Sequence, residues 1–409
     1  MKRSQYIFLV LLIGGMSALN PVAIDSFLPA IPDIAKELAV DPGTIGITIG
    51  IYTLGNAFGQ LFYGPLSDRF GRKPLLITGL TLYVLTGLAA SFAPTIELLS
   101  LARFGQGMGA ASGRILAMAI VRDKYDREAA ARLLSYMMAV SGIMPIIGPA
   151  IGSVVIAHFG WPAVFIYMTL FALMILVISG FFLRETLPER DMNAIKPFHL
   201  AMNFRTILRD PKFLAYTVCS SLSGAGLYAF LATVPDIIIN TLDHGTGGFA
   251  LLFAIVMACN MLAALVGGKL VMTLGIDRLM GTAMIFAGLS SLIFFGLAVA
   301  GVMTAAAIII PFTLFKMSDS IIGPQATAGA LSPFPKMAGA ASSLTGSIRQ
   351  LTGASTAILV GLFDDGTSLP MGVGILLAGM GPLIIYQVAI RPRHPIDAGR
   401  DGGGCSLSK

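Results

Sequence analysis

Long apolar runs, interrupted by short polar stretches, set the pattern of this chain. They lie near 6–31, 44–64, 74–93, 97–121, 133–157, 162–183, 212–239, 247–270, 278–300, 304–327, 338–362 and 370–390. About 20 residues at 1.5 Å each cross the roughly 30 Å of a bilayer's hydrocarbon. The pattern therefore predicts twelve transmembrane helices, because backbone facing lipid must satisfy its own hydrogen bonds. A β-barrel would instead show segments of about ten residues with alternating polarity.

The polar stretches orient these spans. Of 27 lysines and arginines, 22 fall on one face if the N-terminus is cytoplasmic, and only Lys36 falls on the other. That bias predicts both termini in the cytoplasm. The other four, Arg103, Arg114, Lys316 and Arg349, fall inside predicted spans. The longest polar stretch, 184–211, opens "RETLPERDMNAIKP" and divides the spans six and six. The expected organisation is a six-helix bundle over 1–183, a cytoplasmic linker over 184–211, a second bundle over 212–391, and a disordered cytoplasmic tail over 392–409. The halves echo each other weakly. "GPLSDRFG" at 64–71 and "GKLVMTLG" at 268–275 share their spacing at an offset of 204 residues, as do Gly142 and Gly346. A half-length repeat is what paired transporter bundles show.

Composition narrows the reading. Of the 409 residues, 56% are hydrophobic and 12% charged, with a mean hydropathy of +0.83, too apolar for a water-soluble core. The net charge of +6 follows from the one-sided loops and does not call for nucleic acid. Lys2-Arg3 before "YIFLVLLIGGM" resembles a signal peptide, but the apolar run continues to Ile31, long enough to span. Three scattered cysteines and four loop histidines predict no metal site. There is no G-x-x-x-x-G-K-[ST], no H-E-x-x-H and no G-x-S-x-G, and "GQGMGAASG" lies inside a span rather than after a strand. An enzyme is disfavoured, as is a sensor, which would need a sizeable soluble domain.

Three motifs carry the chemistry. "GPLSDRFGRKP" (64–74) packs Asp68, Arg69, Arg72 and Lys73 into a turn that Gly64 and Gly71 make tight. "ARFGQGMGAASG" (102–113) places Arg103 in the fourth span, beside glycines spaced four apart that admit a close neighbour. "SGIMPIIGPAIGS" (141–153) gives the fifth span Gly142, Pro145, Gly148, Pro149 and Gly152, a pliant and closely packed pattern. These strings, with "DSFLPAIP" in the first span and "FPKMAGAASSLTGSIRQLTGA" at 334–354, resemble the major facilitator superfamily. Within it they resemble drug:proton antiporters of the bicyclomycin/chloramphenicol-resistance (Bcr/CflA) type, over essentially 5–390. Ser153 replaces the final glycine of the antiporter motif "GPxxGG".

The resemblance implies an all-α major facilitator fold, with twelve helices in two pseudo-symmetric bundles, in the bacterial inner membrane. It implies export of small drug-like or amphipathic molecules in exchange for protons by alternating access, as a monomer, with no cofactor beyond the proton gradient. A proton-coupled importer or facilitator of a small metabolite on the same fold is the alternative. It makes 64–72 a conformational latch between sliding helices, and it gives Arg103 a part in proton coupling. Asp25 and Arg349 carry over from the same family pattern, whereas Arg114, Lys316 and Asp319 have no place in it.

Depth ties two of these residues together. Asp25 lies six residues before Ile31 and Arg103 six after Glu97, so each sits roughly 9 Å inside the membrane and the side chains can meet. A carboxylate whose proton affinity depends on whether water and Arg103 reach it is a proton switch; a fixed Asp25–Arg103 ion pair is the structural alternative. Pro21 and Pro29 are expected to bend that helix. The substrate cavity is expected among spans one, two, four, five, seven, eight, ten and eleven. Candidate contacts are Asn20, Tyr52, Asn56, Arg114, Met137, Tyr228, Asn260, Lys316, Asp319 and Arg349. Four cations against Asp25 and Asp319 suit neutral, zwitterionic or anionic ligands better than strongly cationic ones.

Overall fold

The computed structural model describes residues 3–187, 189–190, 197–334 and 337–390. The expected disordered tail over 392–409 and parts of the 184–211 linker lie outside the described residues. The long helices are α1 (Arg3–Asp25), α3 (Pro42–Phe70), α4 (Arg72–Ser91), α5 (Ile96–Lys124), α6 (Arg127–Phe159) and α7 (Pro162–Phe182) in the first half. The second half holds α9 (Pro211–Asp236), α10 (Gly245–Leu274), α11 (Ile276–Val299), α12 (Ala305–Leu331), α13 (Ala338–Leu362) and α14 (Leu369–Ile385). Two short helices complete the set: α2 (Ile31–Glu37) extends the first span, and α8 (Pro197–Leu208) lies in the linker. Local signals start several of them. Thr95, Asp210 and Thr304 cap α5, α9 and α12 with side-chain oxygens, and prolines open α3, α7 and α9.

Ten of the helices are long and apolar enough to cross a membrane on length and composition alone, and α5 and α13 are not among them. Position explains the exception. Both pack along α3, and Arg103, Gln106 and Ser112 of α5 and Thr345 and Ser347 of α13 are buried against other helices. Gly55 and Gly107 leave no room for a Cβ against the carbonyls of Phe104 and Tyr52, so α3 and α5 touch backbone to backbone. In α13, the Ala354 carbonyl would lie 2.8 Å from a Cβ on Gly50 of α3. Helices this close gain dispersion and exclude lipid, which lets them keep polar side chains.

Two six-helix bundles result, and α4, α7, α11 and α14 make their extensive contacts only within their own bundle. The linker joins the bundles at the end that holds the turns at 71 and 275; we call this the linker end and the opposite one the far end. At the far end α3 meets α9 and α13, α6 meets α10, and Ser153 Oγ donates to the Thr246 carbonyl at 3.1 Å. Towards the linker end α6 and α10 part. Gly142 and Gly268 have open space where a Cβ would stand, and α5 and α12 share at most marginal contacts. Gly142 is thus a correction to the expected close packing along the whole motif: Gly148 and Gly152 are packed and Gly142 is not. The molecule is closed at the far end; towards the linker end α6 and α10 part, whereas α3 and α13 stay together as far as Gly64 and Ser343.

Candidate functional site

The first span breaks at its acid. The expected continuous helix to Ile31 ends at Asp25, and the chain then turns through a 3-10 segment at Leu28–Ala30 into α2. Pro21 sits inside α1 without ending it, whereas Pro29 and Pro32, which lack N–H donors, fall at the starts of the 3-10 turn and α2. Asp25 is 6% exposed. Among the described residues no donor bonds to its carboxylate. Its neighbour is the glycine face of α6: a Cβ on Gly148 would stand 3.1 Å from the Asp25 Cβ, and one on Gly152 would collide with the Ser26 carbonyl. The antiporter-like motif therefore serves the acid by removing side chains beside it.

Arg103 is fully buried at the same level, since its Nη1 donates to the Ala23 carbonyl at 3.1 Å. The matched depth holds, but the ion pair is not made. Nη1 also donates to Gln106 Oε1 at 2.7 Å, and the guanidinium lies 4.5 Å from the Phe27 ring and 4.4 Å from the Tyr52 ring. Among the described residues its Nε and Nη2 have no hydrogen-bond partner. Desolvated cation–π contacts of about 2 kcal/mol each offset part of that cost.

A chain of amides and phenols crosses the bundles. Asn20 Oδ1 accepts from Tyr52 OH at 3.1 Å and from Asn56 Nδ2 at 3.2 Å. Asn56 Oδ1 accepts from Gln350 Nε2 at 2.9 Å and from Gln60 Nε2 at 2.8 Å, and Gln350 Oε1 accepts from Tyr228 OH at 2.9 Å. Four predicted contacts, Asn20, Tyr52, Asn56 and Tyr228, thus meet in one network through Gln350, which links α13 to α3. Met137 is buried at 4% exposure in the apolar core. Asn260 on α10 leaves its Oδ1 without a partner among the described residues.

The second bundle holds its acid differently. Lys316 and Asp319, one turn apart on α12, form a short buried ion pair, and Ser223 Oγ donates to the other Asp319 oxygen at 2.7 Å. Arg349 on α13 lies against Gly224 and Gly323, where a Cβ would come within 2.8 Å of Nε and 3.3 Å of Nη1. Arg114 on α5 is exposed although it sits mid-helix between buried Gly113 and Leu116. A mid-span cation faces a water-filled space rather than lipid, so Arg114 marks the parting between the bundles.

At the linker end, Arg72 holds three residues at once: Asp68 at 2.5 Å, Asp123 of α5 at 2.8 Å and Ser67 Oγ at 2.6 Å. Gly71 has a φ of +104°, a left-handed turn that favours glycine. Glu185, just past α7, accepts from the backbone N–H groups of Arg72 at 3.0 Å and Lys73 at 3.2 Å, and so caps α4. Burial opposes its ionisation, but N–H donors from Leu187, Arg72, Thr186 and Lys73 outweigh that and hold the carboxyl below its ordinary range. Gly64 faces Ser343 of α13, and Arg69 lies over the Phe70 ring at 5.3 Å. Among the described residues no three histidine, cysteine or acidic side chains gather as metal ligands.

Gln106, Gln350, Ser223, Asp123 and Glu185 were missed from sequence. Gln106 and Gln350 are uncharged polar residues inside spans, beside Arg103 and Arg349, and that adjacency is the signal that would have found them. Glu185 stands in the quoted linker but 113 residues from Arg72, a pairing no local pattern reveals.

The sequence matches the Major Facilitator Superfamily model over residues 11–357. The chain belongs to the major facilitator superfamily, and is a multi-pass membrane transport protein for small molecules rather than an enzyme. It is 29% identical over 389 residues to the bicyclomycin resistance protein homolog of Haemophilus influenzae, covering 95% of this chain and 96% of the relative. It is 30% identical over 382 residues to the multidrug resistance protein MdtL of Escherichia coli, covering 93% and 95%. The fold is similar to a D-xylose-proton symporter, with a TM-score of 0.77 at 13% identity over 93% of this chain and 98% of that one. It is also similar to an inward-facing bacterial homolog of the human lysosomal transporter Spinster, with a TM-score of 0.76 at 13% identity over 97% and 100%.

Proposed function

We propose that this protein exports small drug-like or amphipathic molecules from the cytoplasm in exchange for protons by alternating access. It would work as a monomer in the bacterial inner membrane, with both termini and the linker end in the cytoplasm. The spans of 1–183 and 212–391 are the two moving bodies, and the 184–211 segment straps them together. The parted linker end is then the cytoplasm-facing, drug-accepting form.

One observation carries this reading. Asp25 sits unpaired where its helix breaks, against the bare glycine face of a helix that bears an antiporter-like motif, while the orphaned donors of Arg103 lie at the same level. A proton entering from the periplasm neutralises the carboxyl as drug leaves, and its loss to the cytoplasm resets the carrier. The relatives' names, bicyclomycin and multidrug resistance, support drug-like cargo. The test uses purified carrier in proteoliposomes with an imposed pH gradient. Drug should move opposite to protons, and Asp25→Asn should still bind drug yet exchange it without proton movement. Unchanged proton dependence in that variant would falsify the coupling role, and drug moving with the protons would overturn export.

A further inference from the structure

Two guanidiniums, one on each bundle, make no direct salt bridge among the described residues. Among the described residues neither Arg114 nor Arg349 has a hydrogen bond or ion pair, yet they lie within electrostatic reach of each other and of Tyr228. Arg114 belongs to α5 in the first bundle, and Arg349 to α13 in the second. Like charges brought together in a confined chamber repel, and among the described residues the acid within electrostatic reach of Arg349 is Asp319. Asp319 acts on Arg349 only through space, because Lys316 and Ser223 already occupy its oxygens. The Arg349 position is built rather than accidental, because glycines at 224 and 323 on two other helices vacate the space its guanidinium fills. One helical turn beyond Arg114, Met118 presents partly exposed, adaptable apolar surface on the same face of α5.

We propose that the chamber recognises an ionised acid group on its substrate, a carboxylate or sulfonate held between Arg114 and Arg349, with the substrate's apolar body laid along α5. This rests on the exporter reading and names its cargo class: organic monoanions with an apolar body. Guanidinium matches such oxyanions with paired, charge-assisted hydrogen bonds. The bound anion also bridges the two bundles at the parted end, so its binding favours the form in which they close upon it, as differential affinity requires. Anion and proton keep separate sites. Gly113 abuts Met16, nine residues before Asp25 along α1, or about 13 Å at 1.5 Å per residue.

The test compares dansylglycine, an aromatic carboxylate, with its uncharged methyl ester, by fluorescence anisotropy on the full chain in lipid nanodiscs. The acid should bind at least about tenfold more tightly than the ester, near 1.4 kcal/mol. Arg114→Gln and Arg349→Gln should each raise the Kd of the acid while leaving that of the ester unchanged. Equal affinity for both probes, or a uniform loss of both in folded variants, would overturn the clamp. Size-exclusion elution and thermal unfolding of each variant are the folding control. If a glutamine variant loses both probes through misfolding, Arg114→Lys and Arg349→Lys decide: retained preference for the acid supports the clamp, and its absence overturns it. Proton-driven export of the ester without any preference for the acid sinks the clamp and leaves the exporter standing. Preference for the acid in binding, without proton-driven export of either probe, does the reverse.

Discussion

The two bundles treat a buried acid in opposite ways. In the first, Asp25 has no donor among the described residues, and the nearby cation Arg103 bonds instead to Gln106 and a carbonyl and lies against two aromatic rings. In the second, Asp319 is matched on both oxygens by Lys316 and Ser223. Neutralising a charge in place keeps it silent through a cycle; leaving it unmatched keeps it available. An acid and a base in each half of a pseudo-symmetric fold can therefore serve different ends, and what distinguishes them is pairing rather than depth.

The most drastic way to break this contrast is Asp25→Asn. If the unpaired acid is the proton carrier, uphill accumulation in proteoliposomes is abolished while drug binding remains. Asp319→Asn should spare coupling, because Lys316 and Ser223 already match both oxygens of that carboxylate. Should Asp319→Asn uncouple transport and Asp25→Asn not, the assignment of roles is reversed.

Next in size is the cost of stranding a charge. Lys316→Met leaves Asp319 buried without its ion-pair partner, a loss of roughly 3–5 kcal/mol. Lys316→Met with Asp319→Leu should recover most of it. Arg103→Met removes ring contacts and the donor to the Ala23 carbonyl and Gln106 Oε1 but strands no charge, so about 1–3 kcal/mol is expected. Thermal unfolding in detergent measures all three. A larger loss for Arg103→Met than for Lys316→Met would mean that Arg103 is the more tightly paired residue.

A smaller effect separates the two pseudo-equivalent turns. Gly71 and Gly275 both hold positive φ, +104° and +75°. A Cβ on Gly71 would come 2.5 Å from Glu185 Oε2, whereas one on Gly275 meets nothing within 4 Å. Alanine at either position bears the left-handed strain, about 1–2 kcal/mol. Gly71→Ala should cost about a further 1 kcal/mol through the disturbed cap on α4. Adding Glu185→Gln should erase that difference; if the two alanine variants are equal from the outset, Glu185 does not brace the turn.

Run length and one-sided charge made the fold legible. Twelve apolar segments became twelve long helices, and a repeat seen in only two short strings returned as matching left-handed turns at Gly71 and Gly275. Depth counting put Asp25 and Arg103 at one level, which the Arg103–Ala23 bond shows. It could not say that the guanidinium would choose rings over the carboxylate, because rotamer choice depends on Phe27 and Tyr52 arriving from elsewhere. For the same reason the helix break fell at Asp25 rather than beyond Pro29. Tertiary contacts from α6 decide where that chain turns, and glycines 148 and 152 reveal their purpose only once Asp25 and Ser26 lie against them.

Asp364 is the acid that blurs the contrast, since it belongs to the second bundle and no cation pairs with it among the described residues. It lies on the far-end seam, where a Cβ on Gly43 of α3 would come 2.6 Å from its own Cβ. Burial, and then the like charges of Asp236, Asp365 and Asp41, push its carboxyl up from the ordinary 3.8 to about 6, despite a bond from the Gly366 N–H at 3.3 Å. When the far end opens and water returns, the group reverts towards 3.8. Below that value both forms hold the proton and pH has no leverage. Between 3.8 and about 6 the closed seam binds a proton that the open one does not, so closure weakens as pH rises through this window and levels off above it. For a half-buried side chain, solvent screening keeps the effect below about 1 kcal/mol. Far-end opening, followed by labelling of a cysteine placed on α2, should therefore quicken a few-fold from pH 4 to pH 6.5, and Asp364→Asn should flatten that profile while leaving coupling through Asp25 intact. If Asp364→Asn also uncouples transport, the second bundle carries a working proton site of its own, and the division of labour between the bundles fails.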